Sequence, residues 1–272
     1  MRSADQIYGG GDLTSNLHLY LQGVKTALAS RMAYRGDFFM SMIIMLLEEM
    51  GAPLITILVY GSGASFPGWT MYEVLLIQGI FLLARGIAFP CFFGIVWNTI
   101  ERVQDGTFDL LLIKPKPVLF MAVVTGFDSE DLGKFLGGIA LFTFSLSQVP
   151  APGIFEGLQF IALFLISLAV LFGFALILAG LGIVWIGNFR VYEIFFSFIN
   201  FGMYPTVIFS KALQTLITLI IPIAILGFIP AATLLGRPAA GTLSSVISSI
   251  AFLFLSIWFW QWMLKKYTSA GG

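Results

Sequence analysis

The sequence predicts an all-α membrane protein: six transmembrane helices, an amphipathic helix ahead of them, and a re-entrant helical hairpin before the last span. Three observations carry this. Of 272 residues, 58% are hydrophobic and only 10% charged, against about 25% charged for a soluble domain, and mean hydropathy is +0.96. The apolar residues fall into runs of spanning length. The basic residues segregate: with six spans, Arg2, Lys25, Arg31, Arg35, Arg102, Lys114, Lys116, Arg190, Lys265 and Lys266 share one side, while Lys211 and Arg237 lie opposite. Arg85 is embedded and Lys134 stands at a boundary. The positive-inside rule then puts both termini in the cytoplasm of a multi-pass protein of the cell (plasma or inner) membrane.

Residues 1–36 read as a leader and a surface helix. Tyr8-Gly-Gly-Gly-Asp12 is a flexible stretch, after which Leu17, Leu21, Val24, Leu28 and Met32 recur at helical spacing. Thr14 and Ser15 can cap this helix, and Lys25, Arg31 and Arg35 can reach anionic headgroups. The first apolar run starts near Asp37 with no small-residue cleavage site after it, so no removable signal peptide is expected. A single transmembrane domain is expected over 37–266, with spans at about 38–60, 70–98, 132–148, 157–187, 191–210 and 242–264, and a tail over 267–272. Residues 118–127 read as a shallow interfacial segment, because a span from Val118 would carry the carboxylates of Asp128, Glu130 and Asp131 into hydrocarbon. The stretch 212–235 is long enough to cross, yet a seventh span would place Lys265 and Lys266 outside. It reads instead as two short helices that dip into the outer leaflet and return, broken at Pro222 and Pro230. No internal repeat is visible.

The polar stretch between the second and third spans is the most informative segment. Asp105 and Thr107 offer capping oxygens, Phe108, Leu111 and Leu112 share a helical face, and Pro115 and Pro117 stop the helix. A helix over about 99–114 with an apolar face and charged ends suits the receipt of force from a soluble motor. A loop resting on lipid headgroups is the alternative.

Several chemistries are excluded. Net charge is zero, so no basic field for nucleic acid exists. Cys91 is alone and lies within an apolar run, which removes disulfides and thiolate metal sites and leaves a packing role. Gly61-Ser-Gly-Ala-Ser-Phe66 lacks the lysine of a phosphate-binding loop, so the chain is not itself an ATPase. His18 is the only histidine and precedes the spans, leaving carboxylates as the sole formal candidates for catalysis and no metal site. Glu48, Glu49 and Arg85 fall near mid-membrane. Counted from the loop joining the first two spans, Glu48 lies about 18 Å deep and Arg85 about 22 Å. The separation favours a salt bridge from Arg85 to one glutamate, leaving the other for a cavity or a neighbouring subunit. Gly173, Gly180 and Gly182 suit close helix packing. Trp69, Tyr72, Trp262 and Tyr267 sit near span ends as interfacial anchors.

Taken in order, these features resemble the permease subunits of type-2 ATP-binding-cassette transporters. Asp105-Gly-Thr-Phe-Asp-Leu-Leu-Leu-Ile-Lys-Pro-Lys-Pro117, followed by Leu119-Phe120, is similar to the Gly-x-Leu/Phe-Asp-x-x-Leu-x-Arg/Lys-Pro signature of a six-span branch. Tyr204-Pro205, Ile221-Pro222 and Ile229-Pro230-Ala231 resemble that branch's proline pattern. The resemblance spans about Leu17 to Lys266. It implies the type-2 exporter permease fold, with 99–114 docking into a separate cytoplasmic ATPase through Glu101, Arg102, Asp105, Gly106, Phe108, Asp109, Leu112 and Lys114. It also implies a hinge at Tyr204, Pro205, Pro222 and Pro230, and no cofactor in this chain, since ATP and Mg belong to the ATPase. Pairing with a second permease, a related chain rather than itself, is expected within the bilayer. The expected activity is export of an amphipathic or lipid-linked substrate. A proton-coupled transporter using Glu48 or Glu49 and a non-transporting scaffold are the alternatives.

Overall fold

The structure, a computed structural model, describes residues 13–129, 131–185, 189–239 and 241–268. Tyr8-Gly-Gly-Gly-Asp12, Glu130, the end of the expected 157–187 run and residues 269–272 lie outside the described residues. Within them every regular element is helical: α1 (Leu13–Met32), α2 (Arg35–Gly61), α3 (Met71–Gln104), α4 (Asp109–Leu112), α5 (Val118–Thr125), α6 (Leu132–Ser147), α7 (Ile154–Val184), α8 (Phe189–Ile199), α9 (Lys211–Ile220), α10 (Phe228–Leu234) and α11 (Thr242–Leu264). Four of them, α2, α3, α7 and α11, are long and apolar enough to cross a membrane, and α6 is a shorter apolar helix.

α1 starts at Leu13, so Thr14 and Ser15 lie inside its first turn rather than ahead of it. Its inner side rests on α5, where Gly23 meets the Val124 backbone and Lys116 Nζ donates to Asn16 Oδ1 at 2.8 Å. Leu17, Leu21 and Met32 stay exposed. α2 is interrupted at Met50, because Pro53 has no N–H to give the carbonyl of Glu49. α3 opens with a capping box in which Thr70 and Glu73 satisfy each other's backbone N–H. Glu73 also pairs with Arg237, which fastens the exit of α10 to the start of α3.

α3 is longer than the expected 70–98 span. A π-helical turn at Phe89–Phe93 absorbs Pro90, and the helix then runs on to Gln104. The disturbed turn offers carbonyls to outside partners: Pro90 O accepts from Asp128 N at 3.1 Å and Cys91 O from Tyr20 Oη at 2.9 Å. The closest helix pair is α3 with the antiparallel α6. A Cβ on Gly79 would stand 2.9 Å from Phe142 Cα, and one on Gly138 2.7 Å from Leu83 Cα. A Cβ on Gly86 would collide with the Phe135 backbone. Gly173 and Gly180 pack on α11 at Phe252 and Phe259, while Gly182 faces Ile100 of α3.

The expected span at 191–210 is not one helix. α8 ends at Ile199, a short 3-10 turn follows, and Tyr204 is extended at φ −124°, ψ 151° because Pro205 bars it from the helical region. The stretch 212–235 breaks at Pro222, with Ile221 extended. Pro230, expected as a second break, instead sits third in α10, where a missing N–H costs nothing. Residues 222–234 are buried throughout.

Gly86→Val would force α3 and α6 apart. A loss of at least about 1–3 kcal/mol is expected from over-packing, visible as a lowered unfolding temperature in detergent. Gly157→Val, with nothing within 4 Å, serves as the neutral control.

Candidate functional site

Two regions bring polar side chains together: a charged cleft halfway along α3 and an elbow at its end. In the cleft, Arg85 Nη2 lies 3.2 Å from Glu49 Oε1, with side chains 15% and 4% exposed. The same two helices are stitched again one heptad away, where Gln78 Nε2 donates to Thr56 Oγ1 at 2.8 Å inside the core. Of the two glutamates, Glu49 is the one paired, and its place is the broken turn of α2. Glu48 is exposed, borders the same cleft and makes no ion pair among the described residues.

A second ion pair was not anticipated. Lys134 Nζ sits 2.6 Å from Asp131 Oδ1. The Phe89 ring carries Lys134 at 4.4 Å and the Arg85 guanidinium at 4.9 Å. Both pairs, with Glu48, Asp128 and Trp97, line one cavity of about 590 Å³. Tyr204 lines it too, while Pro205, Pro222 and Pro230 are buried in the adjoining packing. A sequence signal for Lys134 existed in the Lys134–Asp131 spacing of three residues, which faces them on one helix. Its nearness to Arg85 depends on glycine contacts that spacing does not reveal. Among the described residues, no group of three His, Cys, Asp or Glu is arranged to hold a metal ion.

The elbow is not the single 99–114 helix expected. Residues up to Gln104 belong to α3; Gly106 then turns the chain at φ +67°, and α4 is one helical turn. Neither Asp105 nor Thr107 caps α4, whose N-cap is Phe108 without a side-chain bond. The reason is local: the N–H groups of Thr107 and Phe108 both turn back to Arg102 O, at 2.8 and 3.0 Å. Such αL closure with glycine satisfies the last carbonyls of α3. Arg102 donates Nε to Asn98 Oδ1, and Asn98 Nδ2 donates to Thr125 O at 2.7 Å, tying elbow to α5.

Side-chain exposure divides the predicted docking residues. Phe108 is 0% exposed and Leu111 1%. Phe108 therefore braces the elbow from within, its ring 4.9 Å from that of Tyr267. Tyr267, expected as a membrane anchor, is half-buried in this contact. Arg102 and Asp109 are half-buried; Glu101, Asp105, Leu112 and Lys114 face out. Leu110 and Ile113, which helical spacing with Phe108 did not single out, are 53% and 79% exposed and complete an apolar tip with Leu112. Burial, and then the carboxylate charge of Asp109, push the Tyr267 phenol up.

A family model described as "ABC-2 family transporter protein" matches residues 46–271, which contain the cleft and the elbow. The chain belongs to the ABC-2 family. It is an ABC transporter permease, a multi-pass membrane protein that serves as the transmembrane subunit and associates with an ATP-binding-cassette subunit. No curated protein matches it. Arg85→Ala would leave Glu49 buried without a counter-charge. A cost of about 3–5 kcal/mol is expected, with Arg85→Met plus Glu49→Leu costing clearly less, read by thermal unfolding.

The Tyr267 phenol should titrate above its ordinary 10.0, as followed by the ultraviolet difference between wild type and Tyr267→Phe. A raised folded-state value leaves its contribution intact below pH about 10 and removes it as pH rises further. Asp109→Asn should bring the titration back down.

Proposed function

We propose that this permease forms, with cytoplasmic ATPase subunits and a second and related permease, an exporter of amphipathic or lipid-linked molecules across the cell (plasma or inner) membrane. Six spans carry it, with both termini cytoplasmic: α2, α3, α6, α7, the α8 segment and α11, while 212–235 re-enters the outer leaflet. At 16 residues, α6 rises about 24 Å, short of a ~30 Å hydrocarbon core, so the loops at its ends enter the interface. That suits the interfacial reading of α5. ATP and Mg are held by the ATPase, and this chain contributes neither nucleotide site nor hydrolysis. The exposed flanks of α2 and α11, each 17% buried over its most apolar window, offer faces for lipid and for the second permease.

One observation carries this reading: the elbow presents Leu110, Leu112 and Ile113 outward on a base fixed inward by Phe108 and Leu111. Exposed apolar side chains in a segment that also exposes Glu101, Asp105 and Lys114 have the make-up of a protein-binding patch. Its rigidity is what a motor contact requires, because force applied to a loose loop is dissipated in the loop.

Because Phe108 is buried, Phe108→Ala acts through folding, at about 3–5 kcal/mol, and Leu112→Asp with Ile113→Asp is the sharper test. The double variant should insert normally, lose co-purification of the ATPase by at least about tenfold, equivalent to 1.4 kcal/mol, and abolish transport in reconstituted complexes. Asp109→Lys should uncouple ATP hydrolysis from transport. Full transport by the double variant would overturn the assignment of the elbow.

A further inference from the structure

The charged cleft holds more carboxylates than bases, and we propose that an amphipathic organic cation occupies it as the exported substrate. Calling that ligand a substrate rests on the exporter reading; the cation site itself does not.

The charges decide the sign of the ligand. Glu48, Glu49, Asp128 and Asp131 share the cavity wall with two bases, Arg85 and Lys134. Both bases are engaged, Arg85 Nη2 lying 3.2 Å from Glu49 Oε1 and Lys134 Nζ 2.6 Å from Asp131 Oδ1. Neither is left over for an anionic ligand or for a phosphate. Glu48 is the opposite case, an exposed carboxylate of the wall with no ion pair among the described residues. It stands on α2, a helix long and apolar enough to cross a membrane, where a lone carboxylate is costly unless it meets water or a cation. Asp128 adds to the negative field without being asked to bind.

The remaining wall decides the body. The rings of Trp97 and Phe196 lie 15° from parallel with centroids 6.4 Å apart, and Trp97 is still 45% exposed. Met45 and Met203 add polarizable, adaptable surface beside them. A positive head at Glu48 with an apolar or ring-bearing body on this side uses both halves of the cleft, and the open indole also attracts positive charge. An inorganic cation would leave the aromatic side idle, and a neutral amphiphile would leave Glu48 unmatched.

Size and access agree. The cavity of about 590 Å³ falls inside the ~300–1,000 Å³ of pockets that enclose drug-sized molecules. Glu48, Trp97 and Asn200 are exposed, so the cleft opens to the outside of the chain and neither ion pair has to break to admit a ligand.

The test uses two probes of nearly the same size and shape but opposite charge, tetraphenylphosphonium and tetraphenylborate. Their binding to the permease with its ATPase in nanodiscs is measured by equilibrium dialysis, above protein-free nanodiscs and without ATP. Tetraphenylphosphonium should bind saturably and at least about tenfold tighter than tetraphenylborate, a difference of 1.4 kcal/mol. Glu48→Gln should weaken it about tenfold, Glu48→Asp less, and Trp97→Ala should weaken it too. Glu193→Gln, which removes an exposed carboxylate outside the cleft, should change nothing. Glu48 is exposed, so its variants keep the test alive if the tryptophan change disturbs folding. Equal binding of the two probes, no saturable binding, or full affinity in Glu48→Gln would overturn the proposal. Displacement of the probe by millimolar glycerophosphocholine would assign the site to a lipid headgroup and overturn it as well. Binding is read without ATP, so its failure leaves the exporter reading standing, while Glu48-dependent binding without ATP-driven transport of the probe counts against the exporter reading alone.

Discussion

The backbone contact between α3 and α6 is the constraint on which both sites depend. Gly79, Gly86 and Gly138 remove the side chains that would otherwise hold the two helices apart. Only at that separation does the first turn of α6 bring Lys134 over the Phe89 ring, beside Arg85. In hydrocarbon the gain from such contact is dispersion and hydrogen bonding rather than expulsion of water, so small residues at the seam matter more than greasy ones. The cost of the arrangement is four charges gathered at one place, and it is met by pairing each base with an acid: Arg85 with Glu49, Lys134 with Asp131. Each pair fixes the other's position, because both cations share one aromatic ring.

Much of this was legible in the sequence, and the parts that were not have physical reasons. Hydropathy located α2, α3, α7 and α11, since a long apolar run needs no tertiary context to be recognised. The depth count placed Arg85 level with the glutamates, because helix rise is fixed and two antiparallel helices share a loop. It did not choose between Glu48 and Glu49; that choice came from the break that Pro53 makes at Met50, which sets the rotation of the turn carrying Glu49. Proline was read too simply. Pro222 interrupts the chain as expected, Pro230 sits harmlessly in a first turn, and Pro90 is absorbed by a π-helical turn in a helix that continues past it. The elbow's motif was visible, but not its division into buried brace and exposed tip. Leu111 and Leu112 are neighbours in sequence with opposite fates, 1% and 40% exposed, decided by where Gly106 aims the short helix.

α3 links these features into one mechanical element. From the capping box at Thr70 to Gln104 it is a rod of 34 residues, about 51 Å long, locked at one end by Glu73 and Arg237 and turned sharply at the other by Gly106. Its π-helical turn lies near the middle, starting one helical turn past Arg85, and is the one place where the rod is not uniformly bonded. The charged cleft and the elbow thus lie on one rod, with the π-helical turn between Arg85 and Gln104. Phe108 against Tyr267 joins the same elbow to the chain just past the end of α11. The π-helical turn carries the extra residue between the half of α3 that holds Arg85 and the half that leads to the elbow. The hydrogen bonds from Asp128 to Pro90 O and from Tyr20 to Cys91 O hold that residue in place. The clamp on the turn thus comes from the α5–α6 connection through Asp128 and from α1 through Tyr20, two elements far apart in sequence that meet at adjacent carbonyls.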